Sequence, residues 1–477
     1  MSLIERSFQE KIVIVGVLSR DQSVDELNVD LLELKELVRT AGAKVVDTII
    51  QKRDVVDPNT YIGSGKATEL KEICYTLDVD TVVFDNDLSP VQQRNLELIL
   101  GRTAIDRTAV ILDIFAQNAK SEQGKMQVEL ALLNYRLPRL RGRGISLSQQ
   151  GGGIGTRGPG ETQLESDRRQ LLATKTRLEK RLRKLTVVAD TQRRLRNRTG
   201  QFRVSLVGYT NAGKSTLLNS LVESDEYVAD QLFATLDTKI KKLKIRDNSS
   251  ILISDTVGFI RKLPHHLVEA FKSTLSEIED SDLLIHVVDG TSEDPLRQIE
   301  AVETVLNDLK LSDIPQLVAV NKSDKDRELC RVLAEKFNFA VFVSARDGFN
   351  LDRLREMIYE VYLNSMDYTV VAIPEFRQDL ITKLQYRTYV NFRFDPSQED
   401  EPLLELTNNI DSLTNFINVS GGVNFKITDE FQQELYDSVL LNNYTVPVVL
   451  ALTKINTEEI RMLKKYIIKT IKNEQQI

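Results

Sequence analysis

Short apolar runs alternate with amphipathic stretches over residues 11 to about 105. The apolar runs have the length and composition of buried strands, and the stretches between them have helical spacing. Three strands are predicted, at Lys11–Val17, Ala43–Ile50 and Val79–Phe84, with Leu88–Leu100 as the helix after the third. This alternation indicates βαβ units, so we predict a small N-terminal domain with a parallel sheet over residues 1–105.

One stretch of this domain, Ile62-Gly-Ser-Gly-Lys66, looks like a phosphate-binding loop. It lacks the spacing of such a loop and has no buried strand before it. The start of a helix is therefore the favoured interpretation, and a second nucleotide site is the alternative.

From Asp106 onwards apolar residues recur at three- and four-residue spacings, and a second helical pattern runs from Leu164 to about Leu195. The second pattern has leucines at every seventh position, namely Leu164, Leu171, Leu178 and Leu185. Such a repeat predicts a long helix packed along a partner. We therefore expect an antiparallel helical hairpin over residues 106–199, with a second arm about 45 Å long.

The segment that joins the two predicted helices, Pro138 to Gln163, contains eight of the chain's 22 glycines and almost no apolar residues. A connection of this length and composition is usually functional or disordered. Between Arg136 and Thr199 there are 17 Lys and Arg against 5 Asp and Glu, in a chain of net charge −7. This excess indicates a polyanion partner, and no DNA-recognition pattern is present, so we predict RNA. The predicted contacts are Arg139, Arg141, Arg143, Gly151, Gly152, Gly153, Arg157, Gly158 and Gly160.

Composition limits the class of protein. The chain has 477 residues, 41% of them hydrophobic and 28% charged, which is typical of a soluble protein of about three domains. No apolar run approaches the length of a membrane helix, and the first residues lack the apolar core of a signal peptide. We therefore expect a cytoplasmic monomer without a membrane span. Cys74 and Cys330 are the only cysteines and are expected to be buried thiols.

The stretch Gly208-Tyr-Thr-Asn-Ala-Gly-Lys-Ser215 lies between an apolar run and a helical pattern. A strand, a glycine-rich loop and a helix in this order form a P-loop, whose backbone N–H groups surround phosphate. Lys214 would reach the β- and γ-phosphates. The Asn211 side-chain oxygen would bind a potassium ion beside them, or Asn211 would only brace the loop. The predicted nucleotide contacts begin with Gly208, Tyr209, Thr210, Asn211, Ala212, Gly213, Lys214, Ser215 and Thr216.

Three further motifs follow at the ends of predicted strands. Asp255-Thr-Val-Gly258 would place a carboxylate near Mg²⁺ and the Gly258 N–H near the γ-phosphate. Asn321-Lys-Ser-Asp324 supplies Asp324, which can pair with the N1–H and 2-amino donors that guanine has and adenine lacks. Ser344-Ala-Arg346 would offer a backbone N–H to guanine O6. These motifs add Asp255, Gly258, Asn321, Lys322, Asp324, Ser344, Ala345 and Arg346 to the predicted nucleotide contacts.

The order of these motifs predicts a Ras-like P-loop GTPase domain over residues 200–365. We assign catalysis to Lys214, Thr235 and Gly258, and the binding of Mg²⁺ to Ser215, Thr235 and Asp255. Phe259 stands where Ras-like enzymes have a water-orienting glutamine, so slow intrinsic hydrolysis is expected. Residues 366–477 are predicted to form an α+β domain, with strands at Tyr389–Phe394 and Val446–Leu452 and a terminal amphipathic helix.

The chain resembles the HflX family of ribosome-associated GTPases over about residues 10–365. The resemblance rests on Tyr61-Ile-Gly-Ser-Gly-Lys66, Leu88-Ser-Pro-Val-Gln-Gln-Arg-Asn-Leu-Glu97, Gly151-Gly-Gly-Ile-Gly-Thr-Arg-Gly-Pro-Gly-Glu-Thr-Gln-Leu-Glu165, Gly208–Thr216 and Phe233–Asp237. It implies binding of GTP and GDP, binding to the large ribosomal subunit and its RNA, and splitting of stalled or idle ribosomes. After Asp237 the sequence reads Thr-Lys-Ile-Lys where the family pattern has Pro-Thr-Thr-Arg. A GTPase of ribosome assembly or tRNA modification and a GTP-gated stress-signalling adaptor are the alternative interpretations.

Overall fold

The computed structural model describes residues 9–20, 22–140, 159–197, 201–223, 232–233, 235, 238–245, 250–262, 277–366, 368–384, 388–394, 448–454, 460 and 462–471. The predicted RNA contacts Arg141, Arg143, Gly151, Gly152, Gly153, Arg157 and Gly158 lie outside the described residues. Within the described part of the chain, no helix is long and apolar enough to cross a membrane.

The N-terminal domain is a four-stranded parallel sheet with the strand order β2-β1-β3-β4. Its elements are β1 (Lys11–Leu18), α1 (Val24–Thr40), β2 (Lys44–Lys52), α2 (Ser64–Thr76), β3 (Thr81–Phe84), α3 (Pro90–Leu100), β4 (Thr103–Asp106) and α4 (Arg107–Asn118). Alternate residues of β1 face two apolar clusters, so the sheet is covered on both faces. Ser23 and Ser89 begin α1 and α3 with capping boxes, which satisfy backbone N–H groups at each helix start.

Two features of this domain differ from the sequence prediction. Strand β4 was not predicted, because only two of its four residues are apolar, whereas the equally short β3 has three apolar residues. Helix α4 packs on the N-terminal sheet and not in the hairpin, since Ile111 and Phe115 join Ile14 and Leu34 in one buried cluster. The predicted start of a helix near residue 63 is confirmed, because Gly63 is the N-cap of α2 and its N–H donates to Gln51 Oε1 at 3.0 Å.

The hairpin consists of α5 (Glu122–Arg139) and α6 (Pro159–Asn197). Leu178, one of the predicted seven-residue repeat, is buried against Met126 and Leu133 of α5. Arg181 in the middle of α6 lies 2.7 Å from Glu122 at the first turn of α5, so the two helices run in opposite directions. With 39 residues α6 is about 58 Å long, more than predicted, because it begins at Pro159, a residue suited to a first helical position. Gly160 therefore lies in the helix and not in the loop.

Arg139, predicted as an RNA contact, is the last residue of α5, and its side chain makes contacts within the protein. Its guanidinium contacts Asp106 Oδ2 at 2.9 Å, the Leu88 carbonyl at 2.8 Å and Gln93 Oε1 at 2.8 Å. It also lies 3.6 Å from the ring centroid of Tyr135. With its donors used inside the protein, the side chain stabilises the junction between hairpin and sheet.

The nucleotide-binding domain, called the G domain below, has a six-stranded sheet of order β10-β9-β8-β5-β7-β6, in which only β6 is antiparallel among the described strands. Its elements are β5 (Arg203–Gly208), α7 (Lys214–Val222), β6 (Lys239–Lys244), β7 (Ser250–Asp255), β8 (Leu283–Asp289), α8 (Pro295–Asp308), β9 (Gln316–Asn321), α9 (Arg327–Ala334), β10 (Ala340–Phe342) and α10 (Leu351–Asn364). Each predicted motif follows the carboxyl end of one of the parallel strands, where doubly wound sheets bind ligands. The predicted α/β fold is thereby confirmed, and Cys74 and Cys330 are both buried free thiols as predicted.

The C-terminal domain has a four-stranded antiparallel sheet of order β12-β13-β11-β14. Its described elements are β11 (Tyr368–Pro374), α11 (Gln378–Leu384), β12 (Thr388–Phe394), β13 (Val448–Lys454) and β14 (Ile467–Ile471). The predicted terminal helix is wrong at residues 467–471, which pair with β11 as a strand. Three isoleucines and a threonine in five residues favour a strand, because β-branched side chains fit a pleated sheet.

Candidate nucleotide-binding site

The loop between β5 and α7 takes its shape from two glycines. Gly208 has a φ of +149°, and a Cβ there would lie 2.2 Å from the Val287 carbonyl oxygen. Gly213 has a φ of +93°, and a Cβ there would lie 2.3 Å from Asn321 Nδ2. Both positions therefore exclude a side chain, and the backbone can turn tightly into the N-terminus of α7, where N–H groups favour an anion.

Lys214, at the first turn of α7, is buried beneath this loop. Its ammonium donates hydrogen bonds to the carbonyls of Tyr209 at 2.7 Å and Gly208 at 3.1 Å. Burial lowers the pKa of Lys214 to about 8, and the nearby Asp255 carboxylate partly opposes that change. The loop therefore holds a cation whose charge is stabilised poorly until an anion approaches.

Three side-chain oxygens meet beside Lys214. Ser215 Oγ lies 2.7 Å from Thr235 Oγ1 and donates to Asp255 Oδ2 at 2.5 Å. Asp255 is fully buried, and its Oδ1 has no hydrogen-bond partner among the residues that the structure describes. Burial raises the pKa of Asp255, while the Lys214 charge lowers it. An oxygen cluster with an unpaired carboxylate atom fits Mg²⁺, which prefers oxygen ligands.

The opposite end of the cleft is organised by Asn321. Its Nδ2 donates to the Ala212 carbonyl at 2.9 Å, and its Oδ1 accepts from the Ala345 N–H at 3.0 Å. The Ser344 hydroxyl donates to Asp324 Oδ1 at 2.9 Å and so orients that carboxylate. Asn321 and Ser344 therefore stabilise this end of the cleft, and the Asp324 side chain is exposed there.

Gly258 lies directly over the loop. A Cβ at this glycine would be 2.9 Å from Thr210 Cα and 3.0 Å from Lys214 Nζ. The next residue, Phe259, exchanges two backbone hydrogen bonds with the loop, through the Gly208 carbonyl at 3.1 Å and the Thr210 N–H at 2.8 Å. Its ring is buried, so it cannot orient a water molecule in the cleft.

One cleft of about 240 Å³ collects most of the predicted residues. Its lining contains Thr210, Asn211, Gly213, Lys214, Ser215, Thr216, Thr235, Gly258, Asn321, Lys322, Asp324, Ala345 and Arg346. The remaining predicted residues, Gly208, Tyr209, Ala212, Asp255 and Ser344, do not line the cleft. The Tyr209 side chain is directed away from the phosphates, because its hydroxyl is paired with Glu33 of the N-terminal domain.

Phe233, Thr256 and Lys325 also line the cleft, although the sequence analysis did not select them. Thr256 directly follows Asp255, and Lys325 directly follows Asp324. Their position next to predicted residues could have identified them as lining residues. Phe233 has a φ of +55° and packs edge-on against Phe115 at 4.7 Å between ring centroids. That contact with the N-terminal domain could not be found from local sequence.

Comparison with protein-family models gives three consecutive matches. The model described as GTP-binding GTPase N-terminal matches residues 28–116, and GTP-binding GTPase Middle Region matches residues 118–196. The model described as 50S ribosome-binding GTPase matches residues 203–322. Together these matches include the N-terminal sheet, the hairpin and the cleft as far as Asn321 and Lys322.

Curated relatives agree with the family models. The GTPase HflX of Caldanaerobacter subterraneus subsp. tengcongensis is 47% identical over 350 residues, which cover 73% of this chain and 80% of the relative. The GTPase HflX of Flavobacterium psychrophilum is 40% identical over 401 residues, covering 78% and 96%. The GTPase HflX of Escherichia coli is 42% identical, covering 72% and 82%.

Among solved structures, a GTP-binding protein from Sulfolobus solfataricus in complex with GDP is 27% identical to this chain. The match covers 73% of this chain and 98% of that chain, with a TM-score of 0.38.

Proposed function

This chain belongs to the HflX family of GTPases, and on that basis we propose that its GTP-bound form binds the large ribosomal subunit and splits ribosomes. It binds guanine nucleotide and hydrolyses GTP to GDP and phosphate. We also propose which residues bind the nucleotide and the metal ions and which surface binds the ribosome.

For hydrolysis, the chain supplies positioning and charge. Lys214 would donate to the β- and γ-phosphates and offset the charge that develops on the leaving group. The backbone around Gly258 lies beside Lys214 Nζ, which supports a role for its N–H at the γ-phosphate. Asp324 would accept hydrogen bonds from guanine, while Ser344 holds its other oxygen.

Two metal ions belong to the proposal. Ser215, Thr235 and Asp255 would hold Mg²⁺, since Ser215 Oγ lies 2.7 Å from Thr235 Oγ1 and 2.5 Å from Asp255 Oδ2, and Asp255 Oδ1 is unpaired among the described residues. When bound, Mg²⁺ neutralises phosphate charge in the transition state. Asn211 is exposed and lines the cleft beside Lys214, so its side-chain oxygen would be available as a potassium ligand near the phosphates.

The observation that carries the ribosome proposal is the basic exposed face of α6. One side of this helix packs on α5 through Leu178, and the other presents exposed Arg and Lys side chains. These are Arg168, Arg169, Arg177, Lys180, Arg183 and Lys184. A row of cations on a helix about 58 Å long suits an extended phosphate backbone, and the family model that matches the G domain is described as 50S ribosome-binding. Because ribosomes are the proposed target, we also propose a cytoplasmic location.

Residues 141–158, which precede the first turn of α6, would complete the ribosome contact. The glycines of this segment and its Arg141, Arg143 and Arg157 can approach RNA phosphates closely. GTP would favour the ribosome-bound form by ordering the segments around Thr235 and Gly258, because only a difference in affinity between the two states can shift their populations.

The test is sedimentation of intact ribosomes with the protein and a non-hydrolysable GTP analogue. Splitting predicts loss of intact ribosomes and migration of the protein with the large subunit. Migration with assembly precursors alone would support the ribosome-assembly alternative, and the absence of any ribosomal association would contradict the proposal. Replacing residues 151–158 with a Ser/Gly linker should keep GTP turnover and abolish splitting.

A further inference from the structure

The side-chain hydroxyl of one P-loop residue, Thr210, has no part in the functions above. Thr210 lines the nucleotide cleft and is only 6% exposed. Its Oγ1 has no hydrogen-bond partner among the residues that the structure describes. A buried hydroxyl without a partner is rare and destabilises the folded protein, so one that borders a cleft is available to a ligand.

Thr210 lies at the end of the cleft where the γ-phosphate is proposed to bind. A Cβ on Gly258 would be 2.9 Å from Thr210 Cγ2 and 3.0 Å from Lys214 Nζ. The Thr210 side chain and the Lys214 ammonium therefore border the same point. The Thr210 N–H donates to the Phe259 carbonyl at 2.8 Å, and this hydrogen bond holds the residue in place.

Two neighbouring hydroxyls of the cleft already have acceptors within the protein. Ser215 Oγ donates to Asp255 Oδ2 at 2.5 Å. Thr256 Oγ1 donates to the Leu206 carbonyl at 2.7 Å. Of these three hydroxyls, Thr210 Oγ1 is therefore the one that a phosphate oxygen can engage without breaking a hydrogen bond among the described residues.

We propose that Thr210 Oγ1 donates a hydrogen bond to an oxygen of the γ-phosphate and so makes the site prefer GTP to GDP. This inference rests on the proposed position of the γ-phosphate beside Lys214 and Gly258. A hydrogen bond to a charged phosphate is stronger than one between neutral groups. GDP lacks this acceptor and leaves the hydroxyl unpaired, and a buried polar group without its partner discriminates strongly between ligands.

The chain offers a matched control for this hydroxyl. Thr369 of β11 is also buried, and its Oγ1 also has no partner among the described residues, but it lies in the C-terminal domain. Thr210→Val and Thr369→Val each replace one such hydroxyl with a methyl group of similar size, and only the first is in the cleft. Thr210→Ser keeps the hydroxyl and removes the methyl group.

The experiment measures equilibrium binding of GDP and of a non-hydrolysable GTP analogue to the full chain in the presence of Mg²⁺. We expect Thr210→Val to weaken binding of the analogue about tenfold or more, because a hydrogen bond to a charged group is lost. Affinity for GDP should stay within about twofold, since GDP never makes this contact. Thr210→Ser should retain the preference for the analogue, and Thr369→Val should leave both affinities unchanged.

Thermal unfolding without nucleotide separates a ligand contact from a structural role. Thr210→Val should be at least as stable as the wild type, because an unpaired buried hydroxyl is removed. The inference is overturned if Thr210→Val binds the analogue as tightly as the wild type, or if it is less stable and loses both nucleotides equally.

Lys214→Met tests the phosphate position on which the inference rests. It should weaken both nucleotides, because its ammonium is proposed to contact the β- and γ-phosphates. If it weakens neither, the proposed phosphate position is wrong and the Thr210 contact fails with it. If Lys214→Met weakens both but Thr210→Val weakens neither, only the Thr210 contact is overturned.

Discussion

The side-chain amide of Asn321 donates a hydrogen bond to the Ala212 carbonyl at 2.9 Å. This contact joins the phosphate end of the cleft to its base end, because the same side chain accepts from the Ala345 N–H. Asn321 therefore fixes the distance between two loops that are far apart in sequence. Its amide also closes the space around Gly213, where a Cβ would lie 2.3 Å away.

Gly213→Ala should therefore destabilise the G domain and weaken nucleotide binding. Its φ of +93° alone costs an alanine about 1 kcal/mol, and displacing Asn321 adds the loss of buried hydrogen bonds, about 1–3 kcal/mol. Gly348→Ala is the control, since Gly348 also has a positive φ but nothing within 4 Å of its Cβ position. Urea unfolding of the G domain without nucleotide would compare them, and equal losses would show that the Asn321 contact is unimportant.

Asp324→Asn should change the preferred base of the site from guanine to xanthine. The substituted amide would present a donor to the donors of guanine, whereas xanthine has an oxygen at position 2 that can accept it. We expect GTP affinity to fall by about two orders of magnitude or more and xanthosine triphosphate to bind better than GTP. Competition binding with both nucleotides measures this, with ATP as a control that should stay weak. A variant that keeps its preference for GTP would remove Asp324 from base recognition.

The lowered pKa of Lys214, about 8, predicts a pH dependence of GTP binding. Phosphate is bound by the protonated ammonium, so affinity is complete below pH 8 and falls as pH rises through that value. The protonated fraction predicts about fourfold weaker binding at pH 8.5 than at pH 6.5. Lys214→Arg keeps its charge over this range and should abolish the dependence. Equal slopes for the two proteins would contradict the assignment.

Potassium should accelerate GTP turnover relative to sodium. The side-chain amide oxygen of Asn211 can hold a potassium ion, the larger of the two, beside the phosphates. The added positive charge there stabilises the transition state. We expect an acceleration of at least about fivefold, lost in Asn211→Ala, when turnover is measured at constant ionic strength. Turnover that is the same in both salts would leave Asn211 only a structural part of the loop.

The nucleotide site could be predicted because its parts are local. Gly208, Lys214 and Asp324 lie in short motifs at strand ends, and the fold of a parallel sheet brings such ends together. The contacts made by each side chain within these motifs were harder to predict from the sequence. The side chains of Asn321 and Ser344 make hydrogen bonds within the protein, and the Tyr209 hydroxyl pairs with Glu33, a contact across 176 sequence positions.

Two further features, the internal contacts of Arg139 and the strand at residues 467–471, were not predicted because both involve residues far apart in the sequence. Arg139 has the sequence surroundings of an RNA contact, but its partners Asp106 and Gln93 come close only after folding. Residues 467–471 have β-branched side chains that favour a strand, and they pair with β11. In both cases a contact with a distant element, which local periodicity does not contain, contributes to the result.

The most direct test measures ribosome splitting with the Asp324→Asn variant, whose preferred base is expected to be xanthine. Sedimentation of intact ribosomes would be followed with Asp324→Asn in the presence of xanthosine or guanosine triphosphate analogues that resist hydrolysis. If the nucleotide bound at this site drives splitting, the variant should split ribosomes with the xanthosine analogue and not with the guanosine analogue, while the wild type does the reverse. Splitting by the variant with neither analogue present, or equally with both, would contradict the account.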